Sequence, residues 1–269
     1  MRRPFAAAVL GGLLSIAFPV SAAAPIPADL AKVLADPRRD NDRLRDPFRH
    51  PAEVLQFCGI RPGMTVADYM PAGGFYTRIL VPYLGRNGRY VGLTPDPASA
   101  GIDKYKAFFA ALPGPSRKEL EQWKLPGAPA AITPMQEVPE SAYASFDRII
   151  LIREMHVLLG ARALQGELTK LRRMLKPDGE LCVIQHRAKP WADGDYTDGS
   201  KGYMRETDVI GLIEAYGYQL LETSEINANP RDTADHPEGV WGIPPVMAGA
   251  MASQAVGDSD RMTLRFRKR

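Results

Sequence analysis

From residue 51 onward the chain alternates between two apolar rhythms, one of helical period and one of short unbroken runs. Pro51 suits the first position of a helix, where its missing N–H costs nothing. Ala52, Val54, Leu55 and Phe57 give that helix an apolar face, and Gly59 closes it. A strand is predicted over 64–69, then the loop Met70-Pro71-Ala72-Gly73-Gly74 and a helix over 75–84. A second strand follows over 89–94, helices over 102–112 and 116–123, and a weak strand over 130–133. The run 146–152 contains Ile149-Ile150-Leu151-Ile152, the signature of a strand buried on both faces, as in a parallel sheet. A helix over 161–175 stops at the turn Lys176-Pro177-Asp178-Gly179. A strand over 180–185, a helix over 206–216 ended by Gly217, and strands over 218–224 and 262–267 complete the pattern.

Strands that alternate with helices across short turns predict a doubly wound α/β sheet, mostly parallel. Two segments stand outside the rhythm. Residues 23–49 are rich in Pro and Arg, with a short helical stretch near 28–34, and read as an N-terminal helical arm. Residues 227–258 are rich in Pro and Gly with little period. A loop of that length inside a domain is usually functional or disordered. Arg231, Asp232, His236, Glu238 and Trp241 lie on it, a density of polar groups beside an aromatic that suggests a lid. The bland alternative is a surface loop tied by weak salt bridges. Asp260 and Arg261, just before the last strand, are expected to pair with that loop rather than to catalyse.

The first residues change the picture again. Arg2 and Arg3 form a basic start, and 6–20 is almost entirely apolar or small. The run is shorter than the ~20 residues a spanning helix needs. It reads as a secretory signal over 1–22, cut after Ala22, which places the mature protein in the bacterial periplasm or outside the cell. Arg2-Arg3 leaves the twin-arginine route open beside general export. Nothing later is apolar enough to enter a membrane stably. The arm then spans 23–49 and the main domain 50–269.

The chain has 269 residues, enough for a sizeable core. Its formal net charge is +3, of which Arg2 and Arg3 supply two, and no basic run is interleaved with aromatics. Nucleic acid is therefore not an expected partner. An oxidising compartment permits a bridge between Cys58 and Cys182. With no motif around them, two small buried hydrophobes is the better reading. The oligomeric state is open.

The strand–loop–helix over 66–80 carries the strongest chemical signal. Ligands of open α/β sheets bind at the carboxyl ends of strands. Gly73 and Gly74 permit close approach to the backbone, the next helix start offers free N–H groups, and Asp68 can orient a hydroxyl or a cation. The alternative is a Gly-rich turn that merely reverses the chain. Arg153, Glu154 and His156 follow the 146–152 strand. His186 and Arg187 end the 180–185 strand on the same edge if the sheet is parallel. A His near neutral pKa is a candidate general base, although one His taken alone is more often solvated or capping. The two His with Glu154 have no local metal spacing, so no metal is expected. No Ser-His-Asp or Cys-His arrangement supports a hydrolase.

Val66-Ala67-Asp68-Tyr69-Met70-Pro71-Ala72-Gly73-Gly74 resembles the first motif of class I S-adenosylmethionine-dependent methyltransferases. Phe146-Asp147 and Leu175-Lys176-Pro177-Asp178-Gly179-Glu180-Leu181 resemble the entries to their fourth and fifth strands. More closely, the chain resembles a family of exported bacterial predicted methyltransferases. Arg49-His50-Pro51-Ala52-Glu53-Val54-Leu55 and Pro71-Ala72-Gly73-Gly74-Phe75-Tyr76-Thr77-Arg78-Ile79-Leu80 match its early motifs. His186-Arg187, Ser224-Glu225-Ile226-Asn227-Ala228-Asn229-Pro230, His236-Pro237-Glu238-Gly239-Val240-Trp241 and Ser259-Asp260-Arg261-Met262 match later ones.

The resemblance implies a Rossmann-like seven-stranded sheet whose last hairpin is antiparallel. It implies methyl transfer from S-adenosylmethionine to a small or medium acceptor. It assigns the cofactor to Asp68, Pro71, Ala72, Gly73, Gly74 and Tyr76, with Thr94 and Asp96 at the second strand end, and the base to His156 or His186. Tyr76 reads equally as core packing or pocket wall. The chain departs from the pattern at three points. Met70 and Ala72 stand where the loop usually carries glycine, and Thr94 stands where an acid usually meets the ribose. Those departures keep a second reading open: a non-catalytic extracytoplasmic binder with the same fold.

Overall fold

The computed structural model describes residues 25–249 and 254–269. The expected signal segment 1–22 and its cleavage point lie outside the described residues.

Four short helices precede the sheet: α1 (Ala28–Leu34), α2 (Asp40–Arg43), α3 (Asp46–Arg49) and α4 (Pro51–Phe57). Alternation then runs through β1 (Thr65–Tyr69), α5 (Thr77–Leu84), β2 (Arg89–Thr94), α6 (Asp103–Ala111), α7 (Pro113–Trp123), β3 (Ala130–Pro134) and β4 (Phe146–Ile152). It continues through α8 (Met155–Gly160), α9 (Leu164–Met174), β5 (Leu175–His186), α10 (Gly194–Thr197), α11 (Glu206–Ala215), β6 (Tyr218–Ser224) and β7 (Arg261–Lys268).

The seven strands form one sheet in the order β3-β2-β1-β4-β5-β7-β6. Only β7 runs against its neighbours, so the sheet is mixed, as the doubly wound reading with an antiparallel last hairpin expected. The order reverses direction beside β1, so the β1 and β4 ends open onto a crevice where ligands of such sheets bind.

Period-two burial explains the layers. Ala67, Tyr69, Val91, Ile149, Leu151, Leu181 and Val183 pack on one face with α6, α8, α9 and α11. Val66, Tyr90, Ile150, Cys182 and Ile184 pack on the other with α1, α4 and α5.

Three differences from the sequence reading have physical causes. The turn at 176–179 does not precede β5 but interrupts it. Leu175 pairs with Phe146 and Glu180 with Arg148, so the intervening residues bulge out of the ladder, held by Lys176 Nζ on Asp147 Oδ1 at 2.5 Å. The helix expected from 161 is preceded by a separate turn-and-a-half, α8, because β4 ends in an abrupt left-handed step at Arg153 (φ +65°).

The third difference is a correction. Cys58 and Cys182 are not free hydrophobes but a disulfide, with Cα atoms 5.7 Å apart. Cys58 ends α4 and Cys182 faces α4 from the middle of β5, so helix-on-sheet packing brings together residues that no local pattern connects.

The arm is a packed part of the fold. Leu30 and Arg39 are fully buried. Arg39 holds Asp46 at 2.8 Å and the carbonyl of Leu34 at 2.9 Å. Asp42 receives two hydrogen bonds from Arg78 on α5, at 2.6 and 2.7 Å. Arg49 reaches Asp258 near the far end of the chain at 3.1 Å.

Candidate functional site

β1 delivers Asp68 to the crevice, and the next residues turn sharply. Met70, Ala72 and Gly74 all have positive φ, at +53°, +44° and +73°. Two of these three left-handed positions carry a side chain, at a cost of roughly 1–2 kcal/mol each. The backbone thus keeps a glycine-type course without the glycines, a form of strain that concentrates at functional sites. Met70 N–H donates to Leu93 O (2.8 Å), which ties the loop to β2, and Gly74 N–H donates to Pro71 O (2.9 Å). The Met70 side chain packs into the core below.

The two loop glycines are not equivalent. A Cβ on Gly74 would lie 2.0 Å from the ring of Trp123, whereas one on Gly73 would meet nothing within 4 Å. Gly73 therefore faces open space and Gly74 faces packing.

That open space is a cavity of about 100 Å³ lined by Asp68, the loop from Met70 to Gly73, Phe75, Tyr76, Arg153 and Glu154. Asp42, Arg45, Arg49 and Arg78 close its outer side. Asp68 accepts a hydrogen bond from Tyr90 Oη (3.1 Å), whose oxygen also meets Thr77 Oγ1 at 2.7 Å. Burial pushes the Asp68 carboxyl up to about 7 against the opposing effect of Tyr90. Tyr76 is a pocket wall as well as packing: it lines the cavity and meets Phe75 edge to face, and burial pushes its phenol up to about 12.

Beyond Arg153 and Glu154 lies a second cavity of about 180 Å³, lined by those two residues with His156, His186, Trp241, Pro244, Pro245, Asp258 and Ser259. His156 starts α8 and His186 ends β5. Parallel pairing of β4 with β5 puts both at one sheet edge, and their rings meet at 5.7 Å. The Nδ1 of His156 lies 3.3 Å from Gln185 Nε2, and that same amide nitrogen donates to Gly202 O at 2.7 Å. The amide is therefore oriented with its N–H₂ toward His156. Its Nδ1 is assigned as acceptor and the proton sits on Nε2. The Nδ1 of His186 lies 2.5 Å from Ser259 Oγ, a contact compatible with the tautomer whose Nε2 is free.

Burial pushes His156 down to about 4. His186 is pushed well down by burial, with His156, Arg153 and Arg261 adding to it. Both rings are neutral at pH 7. Burial pushes Glu154 up to about 8, opposed by Arg153.

Thr94 and Asp96 do not join this group. Thr94 is buried with its hydroxyl unpartnered, and neither residue lines either cavity. Asp96 is held by Lys170 and caps a turn through the N–H of Ala98 at 2.8 Å. Buried Glu167 fixes the same loop, accepting from Asp96 N at 3.1 Å and from Tyr69 Oη at 2.9 Å.

Arg153 is placed at this edge by its position after the 146–152 strand, whereas Arg45, Arg49, Asp258 and Ser259 were not expected as pocket residues. Arg49 and Ser259 stood inside quoted motifs; Arg45 and Asp258 had no signal short of the fold.

The long loop closes over the second cavity. Its hub is Asp232, fully buried. It accepts from Tyr203 Oη (2.8 Å), Ala234 N (2.9 Å) and Asp260 N (2.7 Å), and pairs with His236 Nε2 (2.9 Å). Asp260 also accepts from Asn229 N at 2.9 Å and pairs with Arg187 at 3.0 Å. Trp241, from a 3-10 turn on this loop, sets its ring 5.9 Å from that of His156. Among the described residues no group of three or more His, Cys, Asp or Glu is placed to hold a metal ion. No described helix is long and apolar enough to cross a membrane.

No protein-family model and no curated protein matches this sequence. Solved structures do resemble its fold. A SAM-dependent methyltransferase from Aquifex aeolicus superposes with a TM-score of 0.50 at 18% identity, over 88% of this chain and 98% of that one. A chain from the Haloferax volcanii complex formed with the Trm112 methyltransferase activator gives 0.51 at 13%, over 91% and 99%. The chain therefore has the fold of the class I methyltransferases. At such identities the likeness defines the fold alone.

Proposed function

We propose that this protein is an exported S-adenosylmethionine-dependent methyltransferase acting on a small molecule. The observation that carries the reading is one line of cavities. The first opens on Asp68 and Gly73, the second on His156 and His186, and Arg153 with Glu154 forms their common wall.

The residues suit the methionine end of the cofactor. The open side of Gly73 admits a ligand to the backbone, and the buried Nη2 of Arg49 has no partner. Pro71, Ala72 and Tyr76 would flank it and Asp68 would face its polar groups. When bound, the cofactor would supply an electrophilic methyl group carried on a sulfonium sulfur, with its thioether as the leaving group. The chain's own part is to align the acceptor and receive its proton. His186 Nε2 is the acceptor for that proton, and His156 Nε2–H is a hydrogen-bond donor to the acceptor. The lid carrying Trp241 excludes water.

The engagement of Asp96 with Lys170 favours the second reading, a non-catalytic binder, because no carboxylate at the end of β2 faces the cavity. Titration of S-adenosylmethionine and S-adenosylhomocysteine into the mature protein by calorimetry decides between them. Micromolar binding, about −8 kcal/mol, is expected; no binding at millimolar concentration sinks the enzyme reading. Export is supported by the Cys58–Cys182 bridge, which fits an oxidising compartment. Amino-terminal sequencing of protein from the periplasmic fraction, expected to begin at Ala23, tests it.

A further inference from the structure

The backbone N–H of Arg153 donates to Ile184 O at 2.6 Å, but its side chain makes no hydrogen bond or ion pair with any described residue, and none of its side-chain nitrogens is sealed in the core. Arg153 lines both cavities. The groups around it are mostly of its own sign. Burial pushes it down to about 9, with Arg49, Arg261 and Arg45 adding to the effect and Glu154 opposing it. Asp258 pairs with Arg49 and Arg261, at 3.1 and 3.2 Å, and serves both at once. Asp42 is taken up by Arg78 at 2.6 Å, and the two remaining carboxyls, Asp68 and Glu154, are both raised by burial, so they neutralise the cluster only in part at neutral pH. Excess positive charge in a desolvated crevice is costly, and a bound anion relieves it.

The second cavity also offers an apolar wall. Val240, Trp241, Pro244 and Pro245 line the cavity together with Arg153 and Glu154. Its volume of about 180 Å³ compares with the roughly 150 Å³ that holds one benzene ring.

We propose that the second cavity binds a small organic anion, one ring or a short chain in size, whose carboxylate or phosphate pairs with Arg153 and whose body lies against Trp241. Calling that anion the methyl acceptor rests on the methyl-transfer reading; the anion site itself does not.

The test titrates benzoate, phenyl phosphate and the neutral isostere benzamide into the oxidised protein, with and without saturating S-adenosylhomocysteine. Expected is at least about a tenfold preference for an anion over benzamide, present with S-adenosylhomocysteine bound. The tighter anion names carboxylate or phosphate as the class. In Arg153→Gln the preference should fall to within about threefold. Equal binding of benzoate and benzamide, or no binding of any probe, overturns the proposal without needing a variant. So does a preference that survives Arg153→Gln, or displacement of the anion by S-adenosylhomocysteine, which would make this the cofactor's own carboxylate site. If S-adenosylhomocysteine does not bind at all, the methyl-transfer reading fails alone, and the anion titration still decides the site.

Discussion

The imidazoles of His156 and His186 meet edge to face with centroids 5.7 Å apart, each anchored through Nδ1 to a different partner, Gln185 and Ser259. Two buried rings so close cannot both take a proton cheaply. The chain has four His, so the pair can be followed by NMR. His156 should titrate near pH 4, not near 6.5. Because its folded pKa lies below the unfolded one, it contributes stability that is present above pH 6.5 and is lost as pH falls through 4. His186 shifts in the same direction. Unfolding by urea across that window should show the acid loss of stability, and His156→Gln should make it shallower. An unshifted His156 would contradict the buried site.

Adjacent glycines in the loop should behave oppositely. Gly73→Leu extends into open space and should change stability by less than about 0.5 kcal/mol. It should weaken S-adenosylhomocysteine binding about tenfold or more by calorimetry. Gly74→Ala, with φ +73° and a Cβ 2.0 Å from Trp123, should destabilise by about 1–3 kcal/mol. Equal effects of the two on thermal unfolding would mean that the cavity is not where Gly73 faces.

The Cys58–Cys182 bridge closes a sequence separation of 124 residues. Constraining so long a loop in the unfolded chain should stabilise the fold by about 3–5 kcal/mol. The Cys58→Ala/Cys182→Ala double variant should unfold at correspondingly lower denaturant. Alkylation of the unfolded, unreduced protein should label no cysteine; two labels would refute the bridge.

Asp232→Ala removes the acceptor for Tyr203, His236 and two backbone N–H groups. Leaving those donors buried should cost about 3–5 kcal/mol. Hydrogen exchange should accelerate first around Ala234 and Asp260, and a uniform acceleration across the sheet would argue against a lid organised by Asp232.

Much of this architecture was legible from local pattern. The unbroken run 146–152 and the strands at 89–94 and 218–224 needed only side-chain period. The loop after Asp68 declared itself through Gly73, Gly74 and the helix behind them. What local pattern could not show was direction in space. Asp96 looked free to reach a ribose until Lys170, on α9, claimed it. Residues 23–49 read as an arm because they are rich in Pro and Arg, yet Asp42 and Arg49 dock the segment through buried ion pairs to Arg78 and Asp258 that have no periodic signature.

The order of strands and helices, the candidate loop and the two His at strand ends were thus set by the sequence itself, since period, caps and turns act over a few residues. The disulfide, the crowding of Arg45, Arg49, Arg153 and Arg261 around one crevice, and the closure of the Asp232 loop were decided only by the tertiary structure. Each depends on groups far apart in the chain, and only packing against a common sheet edge brings them within the few ångströms at which charge and hydrogen bonding act.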